Sequence, residues 1–324
     1  MKINIIARDN GAGLSADINI LRDLFLSQGW DVDLTDYKSM KRFAFWSYNA
    51  YDLNVFLQWA DPKWLKLARK NILIPNPEWF KNKWFPSLNR FDGIFCKTRH
   101  AVEIFKKKNP NTIFTSFTSV DHSLKGVPQK KDHYLHLAGK SKMKGTDTVV
   151  KTWMKNPDFP HLTVVKRHGD YPADNSKNLT IIPEYMSSDR LKKLMNQCAV
   201  HLCPSMAEGF GHSIAESLSC GALVISTDAP PMNELVNADP RMLVPPVRKE
   251  RKQLTYAYHI DISGLEKAVK YTRSIAKSDH GVLLRDKAYD FYLRNDSYFK
   301  KTIVKAIRDL QKNSQDDPAL FETR

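Results

Sequence analysis

The chain has 324 residues, and its 50 lysines and arginines outnumber its 35 acidic residues, for a net charge of +15. The length suits two domains of about 150 residues, and 42% hydrophobic residues is enough for real cores. No apolar run approaches the roughly 18 residues of a membrane span, and the charge favours anionic partners (a small phosphate-bearing molecule, a phospholipid surface or nucleic acid) without choosing among them.

In chain order, Lys2–Ala7 is too short for a signal peptide and reads as a first strand. The loop Arg8-Asp9-Asn10-Gly11-Ala12-Gly13 follows. Leu14, Ile18, Leu21 and Phe25 then share a helical face that ends near Gly29. Asp31–Leu34 is a second strand. Further strands are expected near Leu53–Leu57, Asn71–Ile74, Gly93–Cys96 and Thr112–Ser116. The polar stretch Lys125–Asp132 reads as a linker. After it, Tyr134–Ala138 restarts the pattern with a strand, the loop Gly139–Gly145 and a helix through Val149 and Trp153. Strands near Leu162–Val165 and Leu179–Ile182 precede a helix bearing Leu191, Leu194 and Met195. Strand Ala199–Cys203 comes next. Arg248–Tyr258 is basic and reads as an irregular inserted loop. A last helix carries Phe299, Ile303, Ile307 and Leu310, and the end from Asn313 onward reads as a frayed tail. Alternating strands and helices predict parallel sheets covered by helices. Two strand–glycine loop–helix starts predict two Rossmann-like halves.

Cys96, Cys198, Cys203 and Cys220 show no C-x-x-C spacing. Reduced thiols in the cytosol fit better than zinc or disulfides.

The densest chemistry is in Cys203-Pro204-Ser205-Met206-Ala207-Glu208-Gly209-Phe210-Gly211-His212-Ser213-Ile214-Ala215-Glu216. A strand precedes Glu208 and a helix carries Glu216 a little over one turn in. Backbone N–H groups at that helix start have no internal acceptors and face an anion. Gly209 and Gly211 let backbone approach a ligand without a Cβ in the way. One carboxylate beside an anion site and a second just below it suit a nucleotide diphosphate carrying a sugar at each end.

This segment, with Ser217–Thr227 and Asn233-Glu234-Leu235-Val236, resembles the signature of GT-B fold, retaining glycosyltransferases of family 4. The character of the chain, rather than any motif, adds the expectation of a virus-encoded member. The resemblance implies two Rossmann-like domains facing each other across a cleft. Residues 1–126 would form the acceptor domain, 127–297 the nucleotide-sugar domain, and 298–324 a helix returning to the first domain. In the family Glu216 accepts from the ribose hydroxyls, and Glu208 lies against the donor sugar, where a carboxylate stabilises positive charge at the anomeric carbon. Phe210, His212 and Ser213 complete the turn that holds sugar and phosphate. Gly139-Lys140-Ser141-Lys142-Met143-Lys144-Gly145 stands where the family has G-R and then K-G, cations that hold the diphosphate. Lys144 keeps its K-G context, whereas Lys140 replaces the usual arginine and lacks its bidentate fork.

Gly11 and Gly13 resemble the family's first glycine turn. The family histidine after the N-terminal domain strand is missing here, so Asn76, Glu78 and Arg99 stand as cleft candidates. Trp79 and Trp84 follow strand ends and are acceptor candidates, whereas Trp59 reads as core. Trp46, with Lys41, Arg42, Phe43, Phe45 and Tyr48, offers an aromatic and basic group suited to a sugar or a lipid headgroup layer. Arg167, Tyr185 and Arg190 lie near where the base would sit. Glu234 reads as a cap or support. Asp31-Val32-Asp33 is the single D-x-D, and its strand context argues against a metal site.

The resulting expectation is a soluble, cytoplasmic hexosyltransferase with peripheral contact to anionic membrane. It would take a nucleotide sugar of GDP-mannose or UDP-glucose type as donor and a glycan, glycoprotein or glycolipid as acceptor. No metal or other cofactor is expected, nor a nucleic-acid partner. The rival readings are a DNA-base glucosyltransferase of the same fold, a silent sugar-nucleotide or nucleic-acid binding module, and a sugar-nucleotide epimerase.

Overall fold

The structure, a computed structural model, describes residues 1–11, 13–37, 48–166, 177–236 and 238–312. The expectations placed on Lys41, Arg42, Phe43, Phe45, Trp46, Arg167 and the tail from Asn313 lie outside the described residues. The chain divides into two compact units, Met1–Thr118 with Asn295–Arg324, and Ser119–Arg294.

In the first unit, β1 (Lys2–Ala7), β2 (Asp31–Asp36), β3 (Tyr51–Leu57), β4 (Ala68–Ile74), β5 (Gly93–Cys96) and β6 (Thr112–Phe114) form one parallel sheet in the order β2-β1-β3-β4-β5-β6. Helices α1 (Gly13–Ser27) and α2 (Arg99–Phe105) pack on it. The apolar face read from Leu14, Ile18, Leu21 and Phe25 is buried. Between these apolar strands runs a ladder of asparagines in register. Asn4 donates to Asn54 at 3.1 Å and Asn54 to Asn71 at 2.8 Å, all three buried. A one-residue slip of any of these strands would leave buried amides unpaired, so the ladder favours this register. Lys97, just after β5, forms a buried ion pair with Asp17 of α1, its ammonium 4.5 Å from the Phe117 ring centroid. Asp31 and Asp33 sit on the edge strand β2, where Asp33 takes Tyr51 Oη–H at 2.9 Å and faces Lys2 at 3.5 Å.

In the second unit, β7 (Lys130–Gly139), β8 (His161–Lys166), β9 (Leu179–Ile182), β10 (Cys198–Cys203), β11 (Leu223–Thr227) and β12 (Leu243–Val244) form a sheet in the order β12-β11-β10-β7-β8-β9, with every pair parallel. Helices α3 (Thr146–Lys155), α4 (Ser188–Gln197), α5 (His212–Ser219), α6 (Met232–Leu235) and α7 (Ile262–Ile275) cover it. The strand order reverses between β7 and β10. That is a topological switch point, where doubly wound sheets open a crevice at the carboxyl ends of their strands.

Three expectations need correction. Strand β7 starts at Lys130, inside the stretch read as a linker, because its first residues alternate between exposed and half-buried beyond the apolar core. Arg248–Tyr258 is a hairpin, β13 (Arg248–Lys252) against β14 (Thr255–His259), rather than an irregular loop. Thr255 and Ala257 bury one face, while charges crowd the exposed strand β13 and mask the period of two. The last helix, α8, runs the 34 residues Asp279–Lys312, of which the sequence pattern showed only the final turns. Its later part packs within the first unit, where Asn295 donates to Phe117 O at 2.6 Å and Phe299 meets the Phe117 ring at 4.7 Å.

The cysteines are free, and burial pushes their thiols up, Cys203 to about 11 and Cys198 and Cys220 to about 12. No helix among the described residues is long and apolar enough to cross a membrane.

Candidate functional site

Two loops meet at the switch point of the second unit: Lys140–Gly145 after β7 and Pro204–Gly211 after β10. They touch through backbone, since Met206 N–H donates to Met143 O at 2.8 Å. Gly145 adopts φ +70°, and a Cβ there would stand 2.3 Å from Pro204 O. Only glycine lets the loops approach so closely in this conformation.

The end of β10 and the Glu208 loop that follows it are held carbonyl by carbonyl. His136 Nδ1 meets Leu202 O at 2.8 Å, Ser226 donates to Cys203 O at 3.0 Å and Thr227 to Ser205 O at 2.8 Å. Tyr258 N–H, from the basic hairpin, donates to Met206 O at 2.8 Å. Each anchor comes from a different element or position, so the loop is fixed before any ligand arrives.

Lys144 Nζ donates to Glu208 Oε1 at 2.6 Å and to Ser213 Oγ at 2.9 Å. The two charged side chains are only 19% and 15% exposed. Burial alone would push the lysine down and the glutamic acid up. Their mutual attraction reverses both, so Lys144 lies above its ordinary value and Glu208 below it. Both groups are therefore charged at neutral pH. An ammonium has three N–H donors, and these two acceptors use two of them.

Helix α5 opens at His212 behind Gly211, which has φ +113°. No side chain caps it and its first turn carries no acid, so its leading N–H groups and dipole attract an anion. Ser213 and Glu216 are three residues apart on one face, and His212 and Glu216 are four apart. His212 Nδ1 lies 2.5 Å from Ser119 Oγ. The ring of Phe210 is buried against His212 at 5.6 Å, so Phe210 offers a ligand backbone rather than its ring.

The structure thus gathers Lys144, Glu208, Gly209, Gly211, His212, Ser213 and Glu216 at one place. Gly139, at φ +54°, turns the chain out of β7, and Lys140 and Lys142 are exposed. Tyr185 is exposed beyond β9, and Arg190 is exposed in the first turn of α4. Glu234 lies in the first turn of α6.

In the first unit the remaining candidates line the carboxyl ends of their strands. Gly13 opens α1 after β1, and Asp9 accepts from Gly11 N at 2.9 Å and from Ser15 Oγ. After β4, Asn76 is half-buried, Glu78 is buried and Trp79 is 49% exposed. Arg99 begins α2 with its guanidinium 4.7 Å from the Phe114 ring centroid. Trp84 is buried, edge-on to Trp59 at 4.8 Å, so it belongs to an aromatic cluster and is not an exposed acceptor platform.

Sequence reasoning missed His136, Thr146, Ser226 and Thr227. Buried polar residues inside apolar strands were the available signal for His136, Ser226 and Thr227, and Thr146 offered only its place at a helix start, but neither pattern shows which group each one reaches.

The sequence model of the family described as glycosyl transferases group 1 matches residues 172–258, the stretch holding Glu208 and Glu216. No curated protein matches the chain at a significant level. A glycosyltransferase from Rickettsia africae ESF-5 is similar in structure, with TM-score 0.71 and 13% identity over 96% of this chain and 99% of that one. Sucrose-phosphate synthase from Thermosynechococcus elongatus gives TM-score 0.71 and 14% identity over 96% and 99%. HepE from Anabaena, solved with UDP and glucose, gives TM-score 0.62 and 14% identity over 98% and 100%. The fold is that of the GT-B glycosyltransferases. The switch point that holds Lys144 and Glu208 is thus part of a GT-B scaffold, and the stretch matching the group 1 family supplies its second loop.

Proposed function

We propose that the chain is a retaining hexosyltransferase. It moves a hexose from a nucleotide-diphosphate sugar, of GDP-mannose or UDP-glucose type, to a hydroxyl of a glycan, glycoprotein or glycolipid. The observation that carries this reading is Lys144, Glu208 and Ser213 joined at the switch point with Glu216 one turn further along α5. HepE, solved with UDP and glucose, supports the class of donor.

In this reading the diphosphate lies at the start of α5, held by backbone N–H groups and by the third N–H of Lys144. Lys144 then neutralises the phosphate as the bond to the sugar breaks, and Lys140 adds long-range charge from the exposed turn. Glu208 accepts from sugar hydroxyls and stabilises positive charge at the anomeric carbon. Glu216 takes the paired ribose hydroxyls. The fixed cations and the helix dipole supply the charge that a divalent ion provides elsewhere, so turnover proceeds without metal.

The two glutamates test this division of labour. Glu216→Ala weakens binding of the nucleoside diphosphate by about 1.5–3 kcal/mol, the worth of hydrogen bonds to a charged acceptor. Glu208→Ala cuts turnover while nucleotide binding holds. Normal nucleotide binding in both variants removes Glu216 from the donor site.

A further inference from the structure

His136 lies within β7, at a position where both faces of the sheet are covered and an apolar side chain is expected. It is 1% exposed. The paired register between β7 and β10 ends with Leu135 opposite His201, and the imidazole takes the next carbonyl of β10, Leu202 O, at 2.8 Å. Its other nitrogen, Nε2, meets Thr146 Oγ1 at 2.9 Å. A carbonyl only accepts, so Nδ1 carries the proton. The neutral ring then accepts at Nε2, and the Thr146 hydroxyl must donate. Burial, with the charges of Lys144 and Lys166 adding to it, holds the imidazole neutral at physiological pH.

The two partners are not equivalent in place. Leu202 precedes the Glu208 loop, and Thr146 opens α3 immediately after Lys144-Gly145. One side chain therefore spans the roots of both loops, beside the close backbone contact of Gly145 with Pro204. A buried hydrogen bond with a fixed donor and acceptor at each end tolerates little displacement. Lys144, two residues before Thr146, inherits that precision.

We propose that His136 is a positioning residue: by joining Leu202 O to Thr146 it sets the Lys144 ammonium in the place where a diphosphate is bound. This rests on the donor-site reading given above, and inorganic pyrophosphate separates the two because it needs neither the base nor the sugar. Calorimetric titration of the intact chain with pyrophosphate, at a temperature where each variant is folded, is the measurement. Wild type binds, and Lys144→Ala loses most of that affinity. Thr146→Val, which keeps the volume and removes the hydroxyl, weakens pyrophosphate about tenfold, the scale of one unmade buried hydrogen bond. Thr146→Ser restores it. His136→Asn, whose shorter amide keeps a donor for Leu202 O but places no acceptor where Nε2 meets Thr146, matches Thr146→Val, and the double variant is no worse than either. Nitrogen NMR of the wild type shows the His136 ring protonated at Nδ1.

Absence of pyrophosphate binding in wild type, or no effect of Lys144→Ala, sinks the donor-site reading and this proposal together. Lys144-dependent binding that Thr146→Val and His136→Asn leave unchanged overturns the positioning role alone, even where both lower the melting temperature. So does an Nε2-protonated ring. Should His136→Asn fail to fold, the Thr146 pair and the NMR signal decide the matter.

Discussion

Substituting Gly145 by alanine probes the junction of the two site loops. At φ +70° the new Cβ stands 2.3 Å from Pro204 O and 3.2 Å from Pro204 Cγ. The first of these is roughly 1 Å inside ordinary contact. The backbone conformation alone costs about 1 kcal/mol for a residue with a Cβ. Relieving the contact must move the chain between Lys144 and Thr146, at the expense of hydrogen bonds to Glu208, Ser213 or His136, about 1 kcal/mol each. The expected total is about 2–4 kcal/mol. Gly126 is the control, with φ +76° and nothing within 4 Å of where a Cβ would stand, so Gly126→Ala carries the backbone cost alone. Denaturant unfolding with a probe in the second unit, together with pyrophosphate titration of the folded protein, reads both effects. Gly145→Ala should lose more stability than Gly126→Ala and at least tenfold in affinity, because misplacing a site by about 1 Å is felt strongly. Equal stability losses in the two variants, with unchanged pyrophosphate binding, would refute the reasoning.

Lys144→Met strands the Glu208 carboxylate and should cost about 2–3 kcal/mol, less than a fully buried pair because both side chains keep some exposure. Adding Glu208→Gln recovers part of that loss, and strictly additive effects would show that the pair is not coupled. Buried His136 and His201 both lie lowered to about 4. The native state then binds fewer protons than the unfolded chain between that value and about 6.5, so each histidine's contribution is present above pH 6.5 and lost as pH falls toward 4. The loss is about 3 kcal/mol for each, and unfolding midpoints that stay flat from pH 7 to 4.5 would contradict it. Trp79→Ala, at a 49% exposed position, should leave stability within about 0.5 kcal/mol. It should raise the acceptor KM while donor affinity is unchanged; an unaltered KM removes Trp79 from the acceptor site.

Much of this molecule was legible from sequence for identifiable reasons. The apolar periods of β1, α1, α3 and α4 are clean, and the motif around Glu208 and Glu216 is dense enough to place a strand, a turn and a helix in order. Residues joined by short range, such as Gly211, His212 and Glu216, came with that motif. What escaped depends on contacts distant along the chain. Lys144 and Glu208 lie 64 residues apart, and nothing in either segment announces an ion pair. His136 looked like one polar residue in a strand until Leu202 and Thr146 were seen on either side of it. The hairpin at Arg248–His259 was hidden because every residue of its exposed strand is charged, which erases the alternation that a half-buried strand normally shows. Trp84 was misjudged because a position after a strand says where a residue starts, whereas its burial depends on Trp59 and Phe80.

At the centre of the proposed function, the switch point of the second unit binds a nucleotide-diphosphate sugar. Calorimetric titration of the intact chain with a panel of such sugars, including UDP-glucose and GDP-mannose, tests this most directly. One of them should bind, with affinity reduced by Lys144→Ala and by Glu216→Ala. A panel in which none binds, or in which binding is indifferent to both substitutions, would contradict it.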